Sequence, residues 1–185
     1  MNIIETPLNG FYLIENKVYD DTRGFFLETY QKKRYSEFGI SDDFVQDNQS
    51  RSKYGVLRGM HYQIKNPQAQ LLTVLRGKVF DVVVDLRPNS DTFGKWHGVE
   101  LSDNGIRQAY MSPGFAHGYV ALTDWVDLHY KVTRNYNSSD EGGLFWNDPK
   151  VNIKWPKLDF VISDRDSNYP CIDKIEKSRL PHIAF

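Results

Sequence analysis

Three observations predict a mainly β chain: short stretches alternating apolar and polar residues, turn residues bounding each stretch, and a single segment with a clear helical stop signal. The alternation runs through residues 11–18, 71–75, 78–86, 96–101 and 127–133, each flanked by Gly, Pro, Asn or Asp. Residues 29–38, TYQKKRYSEF, are the main helical candidate, which Gly39 would end at the position after the C-cap. A second short helix is expected in the tail at 172–178. Many short antiparallel strands bury their apolar faces by closing into a barrel or a double sheet, whose mouth can hold a small ligand. The expectation is therefore a jelly roll with a few short peripheral helices. No repeat, low-complexity run or linker interrupts the chain, so residues 1–185 are expected to form one domain.

Composition narrows the classes of function. A length of 185 residues leaves room for a real core, and 40% hydrophobic with 14% aromatic residues argues for a folded protein. A formal net charge of −1 gives no basis for nucleic acid or an anionic membrane as partner. The start, MNIIETPLNGFYLIENKVYDD, lacks a basic region followed by an apolar core, so it does not read as a signal peptide. No apolar run approaches the length of a membrane span. The lone Cys171 rules out an internal disulfide and fits a reducing, cytoplasmic setting.

The run GVLRGMHYQ carries the most chemical information. Arg58 and His61 are three residues apart and would point to opposite faces of a regular strand. They can share a pocket only if Gly59 permits a bend or bulge. A second histidine, His117, follows the turn-forming Pro113 and Gly114 in SPGFAHGYV, where small Ala116 leaves room. In DLHYKVT, Tyr130 shares a face with Leu128 and Val132, so its hydroxyl would be buried and would need a partner. Each of these residues, taken singly, also reads as structural. Arg23 and Arg58 could together bind a pyrophosphate. The five histidines form no close pair, so no metal is expected. Neither glycine-rich phosphate motif occurs, so dinucleotide-fold and NTPase readings fail.

The ordered set DTRGFFLE, QDNQS, GVLRGMHYQ, VLRGKVFDVVVDLR, PGFAHGY, YKVTRNY, WNDP, IKWP and SDRD resembles the dTDP-4-dehydrorhamnose 3,5-epimerase family over about residues 10–166. That resemblance implies a cupin-type jelly roll, a homodimer, no cofactor, and a nucleotide-linked 4-keto-6-deoxy sugar as ligand. It implies His61 as base, oriented by Asp166 with Asp164 as competitor, and Tyr130 as acid on the opposite face of the sugar. Tyr136 would stack on the nucleotide base. Arg23, Phe26, Gln46, Asn48, Arg58, Gln70 and His117 would line the substrate site, and Glu28 would reach the nucleotide end across the dimer.

The chemistry suits this reading. A keto group at C4 acidifies the hydrogens at C3 and C5, because either carbanion delocalises onto oxygen as an enolate. Imidazole supplies a base near neutral pH, and an aspartate on its other nitrogen fixes the tautomer. Arg58 is the leading candidate to meet the enolate oxygen. Two departures stand out: Gln70 occupies the position where similar sequences carry a lysine, and His129 stands where they often carry an apolar residue. Inversion at C3 or C5 alone, and a CDP or GDP carrier, are therefore alternatives. A non-catalytic or metal-holding carbohydrate-binding jelly roll is the alternative from another class.

Overall fold

In the computed structural model, which describes residues 1–183, thirteen strands build two large antiparallel sheets and one hairpin. In chain order the strands are β1 (Asn2–Glu5), β2 (Phe11–Glu15), β3 (Val18–Asp21), β4 (Gly24–Leu27), β5 (Gln46–Lys53), β6 (Leu57–Gln63) and β7 (Gln70–Arg76). They continue as β8 (Lys78–Asp85), β9 (Trp96–Ser102), β10 (Gln108–Met111), β11 (Phe115–Ala121), β12 (Trp125–Val132) and β13 (Glu141–Gly143). One sheet runs β1-β2-β10-β7-β12-β5 and the other β13-β6-β11-β8-β9; β3 and β4 pair only with each other.

Alternation decides which side chains fill the space between the sheets. Phe11 and Leu13 of β2, Leu72 and Val74 of β7, and Leu128 of β12 meet Val79 and Val83 of β8 and Phe115 of β11 in one buried cluster. The outer faces are covered as well. The short helix α1 (Lys32–Glu37) sets Tyr35 against Ile14, Leu71 and Tyr110, while Leu144, Val151, Ile153 and Leu180 cover the outward Met60, Tyr62, Val82 and Val84. The fold is thus a jelly roll with a few short helices.

Local chemistry moved several boundaries. Helix α1 starts after the extended Gln31, whose side chain accepts from Arg34 N, so residues 29–31 stay outside the helix, which is shorter than the 29–38 span expected. The stretch 11–18 is broken at Asn16 and Lys17 into β2 and β3. The tail helix expected at 172–178 is instead two single 3₁₀ turns, Ile172–Lys174 and Lys177–Arg179, neither with a side-chain cap. An unexpected one-turn helix, α2 (Asp164–Ser167), is capped by Ser163, whose hydroxyl accepts from Asp166 N.

Gly59 is where β6 departs from regular geometry. Its φ is +131°, and a Cβ there would lie 2.5 Å from Gly118 Cα. The pairing of β6 with β11 shifts register between His117 and Tyr119, opposite this point. Arg58 and His61 consequently face the same cavity. Gly59→Ala is expected to cost about 3 kcal/mol of unfolding free energy through backbone strain and contact with Gly118. Urea denaturation measures it, and a loss below about 0.5 kcal/mol would contradict the close approach.

Candidate functional site

A cavity of about 760 Å³ opens between the two sheets and falls within the range that holds a small-molecule ligand. His61, Arg58 and His117 enter it from β6 and β11 of the five-stranded sheet. Tyr130, Gln70, Gln46 and Asn48 enter from β12, β7 and β5 of the six-stranded sheet. His61 and Tyr130 therefore stand on facing walls.

Asp166 organises the first wall. Its Oδ1 accepts from His61 Nε2 at 2.9 Å and from Arg165 Nε at 3.3 Å, and its Oδ2 accepts from Gly59 N at 3.1 Å. Burial works against the charge on Asp166, but the hydrogen bonds from His61 and Gly59 and the nearby Arg165 outweigh it and hold the carboxyl at about 2. An ionised Asp166 can only accept, so the His61 proton sits on Nε2 and Nδ1 keeps its lone pair. The alternative partner, Asp164, does not line the cavity; its backbone oxygen instead accepts from the Asn168 side chain.

On the opposite wall, Leu128, Tyr130 and Val132 share one face of β12, with Leu128 and Val132 buried. Burial raises the Tyr130 pKa, which keeps the phenol protonated. The expected internal partner for its hydroxyl is not found: among the described residues no hydrogen bond reaches it, because the side chain ends in the cavity rather than in the core.

Charge is unevenly distributed around the cavity. Arg58 donates to Ser52 Oγ at 3.0 Å and to the Arg51 carbonyl at 3.4 Å, and among the described residues no carboxylate pairs with it. Arg165, by contrast, is engaged by Glu141 at 2.8 Å and by Asp166. Gln70 lines the cavity as a neutral amide, so among the described residues Arg58 is the cation lining the cavity that has no carboxylate partner. Gln46 donates to Asn48 Oδ1 and accepts from Tyr136 N, which ties the half-exposed Tyr136 to the rim.

Some residues entered the site without a forecast. Asp81, fully buried, accepts from His117 Nε2 at 2.6 Å and fixes that ring. Its place between Val79 and Val83 on the inward face of β8 was the available signal: a carboxylate on an apolar face needs a partner. Glu141 and Arg165 also line the cavity, and Tyr169 stands edge-on to His61. Three expected residues are not brought to the cavity within one chain. Arg23 lies in the turn of the β3–β4 hairpin, where it pairs with Asp21 rather than joining Arg58. Phe26, on β4, is 70% exposed, and Glu28 pairs with Arg34. Among the described residues no group of three or more His, Cys, Asp or Glu is placed to hold a metal ion, and no helix is long and apolar enough to cross a membrane.

Comparison with known proteins gives concordant matches. The family model for dTDP-4-dehydrorhamnose 3,5-epimerase matches residues 5–174. A dTDP-4-dehydrorhamnose 3,5-epimerase of Methanothermobacter thermautotrophicus is 47% identical over 169 residues, covering 90% of this chain and 91% of the relative. One from Shigella flexneri is 44% identical over 91% of this chain and 94% of its own. The crystal structure of a dTDP-6-deoxy-D-glucose-3,5-epimerase from Legionella pneumophila in complex with dTDP-4-keto-L-rhamnose superposes with a TM-score of 0.96 at 45% identity, covering 100% of this chain and 99% of that one.

The low Asp166 pKa has a consequence for stability. A carboxyl held below its ordinary 3.8 stabilises the fold fully above that value, and the stabilisation is lost as pH falls through about 2. The unfolding free-energy difference between the unmodified protein and Asp166→Asn is expected to be larger at pH 7 than at pH 2, by on the order of 2 kcal/mol. Urea titrations across that range measure it, and a pH-independent difference would contradict the ion pair.

Proposed function

Because the chain belongs to the dTDP-4-dehydrorhamnose 3,5-epimerase family, we propose that it inverts both C3 and C5 of a dTDP-linked 4-keto-6-deoxyhexose, in rhamnose-type deoxysugar biosynthesis, through an enolate and with no cofactor. The observation that supports this most directly is the placing of His61 and Tyr130 on facing walls of one cavity. Inversion requires removal of a proton from one face of the sugar and delivery to the other. His61, with its proton fixed on Nε2 by Asp166, takes the carbon-bound proton at Nδ1; Tyr130, kept protonated by burial, donates from the opposite side. Negative charge on the C4 oxygen or on the diphosphate is met by unpaired Arg58, with His117, Gln46, Asn48 and Gln70 as polar lining. Tyr136, exposed at the rim, is suited to stack on the nucleotide base.

The working unit is proposed to be a homodimer. The β3–β4 hairpin projects Val18, Tyr19, Phe25 and Phe26 into solvent, a cluster of large exposed side chains that a partner would cover. The same hairpin and the residue following it carry Arg23, Phe26 and Glu28, the three expected site residues that lie outside the cavity of their own chain. A partner's hairpin laid beside the cavity mouth would bring them to the nucleotide.

Turnover of a dTDP-linked 4-keto-6-deoxyglucose in deuterated water is expected to place solvent deuterium at both C3 and C5, read by NMR. Label at one carbon would mark a mono-epimerase, and label at neither would overturn the assignment. The double substitution Phe25→Asp and Phe26→Asp is expected to yield a monomer by analytical ultracentrifugation, with KM raised at least about tenfold through loss of the shared site, an effect of about 1.4 kcal/mol. A dimer with unchanged KM would contradict the shared site.

A further inference from the structure

Two inversions at one site raise a problem that a single inversion does not. The first leaves the carbon-derived proton on His61 Nδ1 and leaves Tyr130 as a phenolate. The second needs a neutral imidazole and a protonated phenol again. The other ring nitrogen offers no exit, since Nε2 is committed to Asp166, whose oxygens already meet three donors. Tyr169 stands against the ring edge at 5.7 Å between centroids. A sugar seated in the cavity would also keep bulk water from Nδ1.

Glu141 is the group placed to solve it. At the start of β13, directly beside β6, its carboxylate is 12% exposed and has two unequal oxygens. Oε2 accepts from Tyr136 OH at 2.9 Å and from Arg165 Nη1 at 2.8 Å, which anchors it. Oε1 receives no hydrogen bond among the described residues and lies 4.0 Å from His61 Nδ1. That gap is too long for a hydrogen bond and short enough for a side-chain rotation to close. Tyr136 and Arg165, the two residues holding Oε2, are each about half exposed, so the carboxylate stands between the base and open water.

We propose that Glu141 acts through His61 as its proton outlet, resetting the base between the two inversions; the inference rests on the epimerase reading above. The imidazolium Nδ1–H gives its proton to Glu141 Oε1, which leaves a neutral imidazole and a carboxylic acid. The acid loses the proton to water, and water returns one proton to the Tyr130 phenolate. The sum is one proton moved from His61 to Tyr130 through solvent, with no change of oxidation state.

Glu141→Gln tests this, because an amide oxygen still accepts from Tyr136 and Arg165 but takes no proton. With enzyme in excess, the first inversion should proceed within a fewfold of the unmodified rate. Multiple turnover should fall roughly 100-fold, with a once-inverted sugar accumulating. Added formate at constant ionic strength should restore turnover of the variant and leave the unmodified protein unaffected. Equal slowing of both inversions without rescue by formate would show that Glu141 only holds Arg165, and would overturn the proposal. Turnover equal to that of the unmodified protein would overturn it too. A product without deuterium from the unmodified protein would overturn the epimerase reading along with it.

Discussion

The carboxylate of Asp166 joins parts of the chain far apart in sequence: it binds His61 across 105 residues and the backbone N–H of Gly59 across 107. Both bonds require the bulge in β6. With a side chain at position 59 the strand could not approach Gly118, Arg58 and His61 would diverge, and the amide of residue 59 would not face Asp166. Ser163, which caps the single turn carrying Asp166, completes the support. The imidazole tautomer, the direction of its lone pair and the placement of the neighbouring guanidinium all follow from this one clamp.

Architecture supplies what the clamp cannot. A group on the opposite face of a bound sugar must come from another layer of the protein, and a double sheet provides one because β12 faces β6 across the cavity. Alternation along β12 puts Tyr130 on the same side as Leu128 and Val132, half in the core and half in the cavity. Charge is then divided by pairing. Arg165 is neutralised by Glu141 and Asp166, whereas Arg58 is steered, among the described residues, by a hydroxyl and a carbonyl and keeps its charge for a ligand. With Gln70 neutral, the polarity of the cavity rests largely on Arg58.

Features governed by near neighbours were legible in the sequence. Strand alternation, the inward face of β12 and the need for a break at Gly59 all depend on residues within a few positions. Errors arose where a local competitor won. The Gln31 side chain capped α1 two residues later than its pattern began, and the tail lacked caps to extend beyond single turns. Contacts across the fold were harder. Asp166 is tied to His61 in the sequence only through resemblance, and no near neighbour marks Glu141 or Arg165, because their partners are set by the pairing of β13 with β6 and by the position of α2. Asp81 was readable as a carboxylate among valines, though its partner was not. Arg23, Phe26 and Glu28 lie outside the cavity of their own chain, on and just after the β3–β4 hairpin, a placement set by the fold rather than by their near neighbours in sequence.

The central claim is that base and acid occupy opposite walls, and separating hydrogen exchange from inversion tests it most directly. In deuterated water, Tyr130→Phe should still exchange a sugar hydrogen for deuterium at its first reacting carbon with retention of configuration, because His61 can remove and return a proton on its own side. His61→Asn should lose exchange and inversion together. Loss of exchange in Tyr130→Phe as complete as in His61→Asn would contradict the two-walled site.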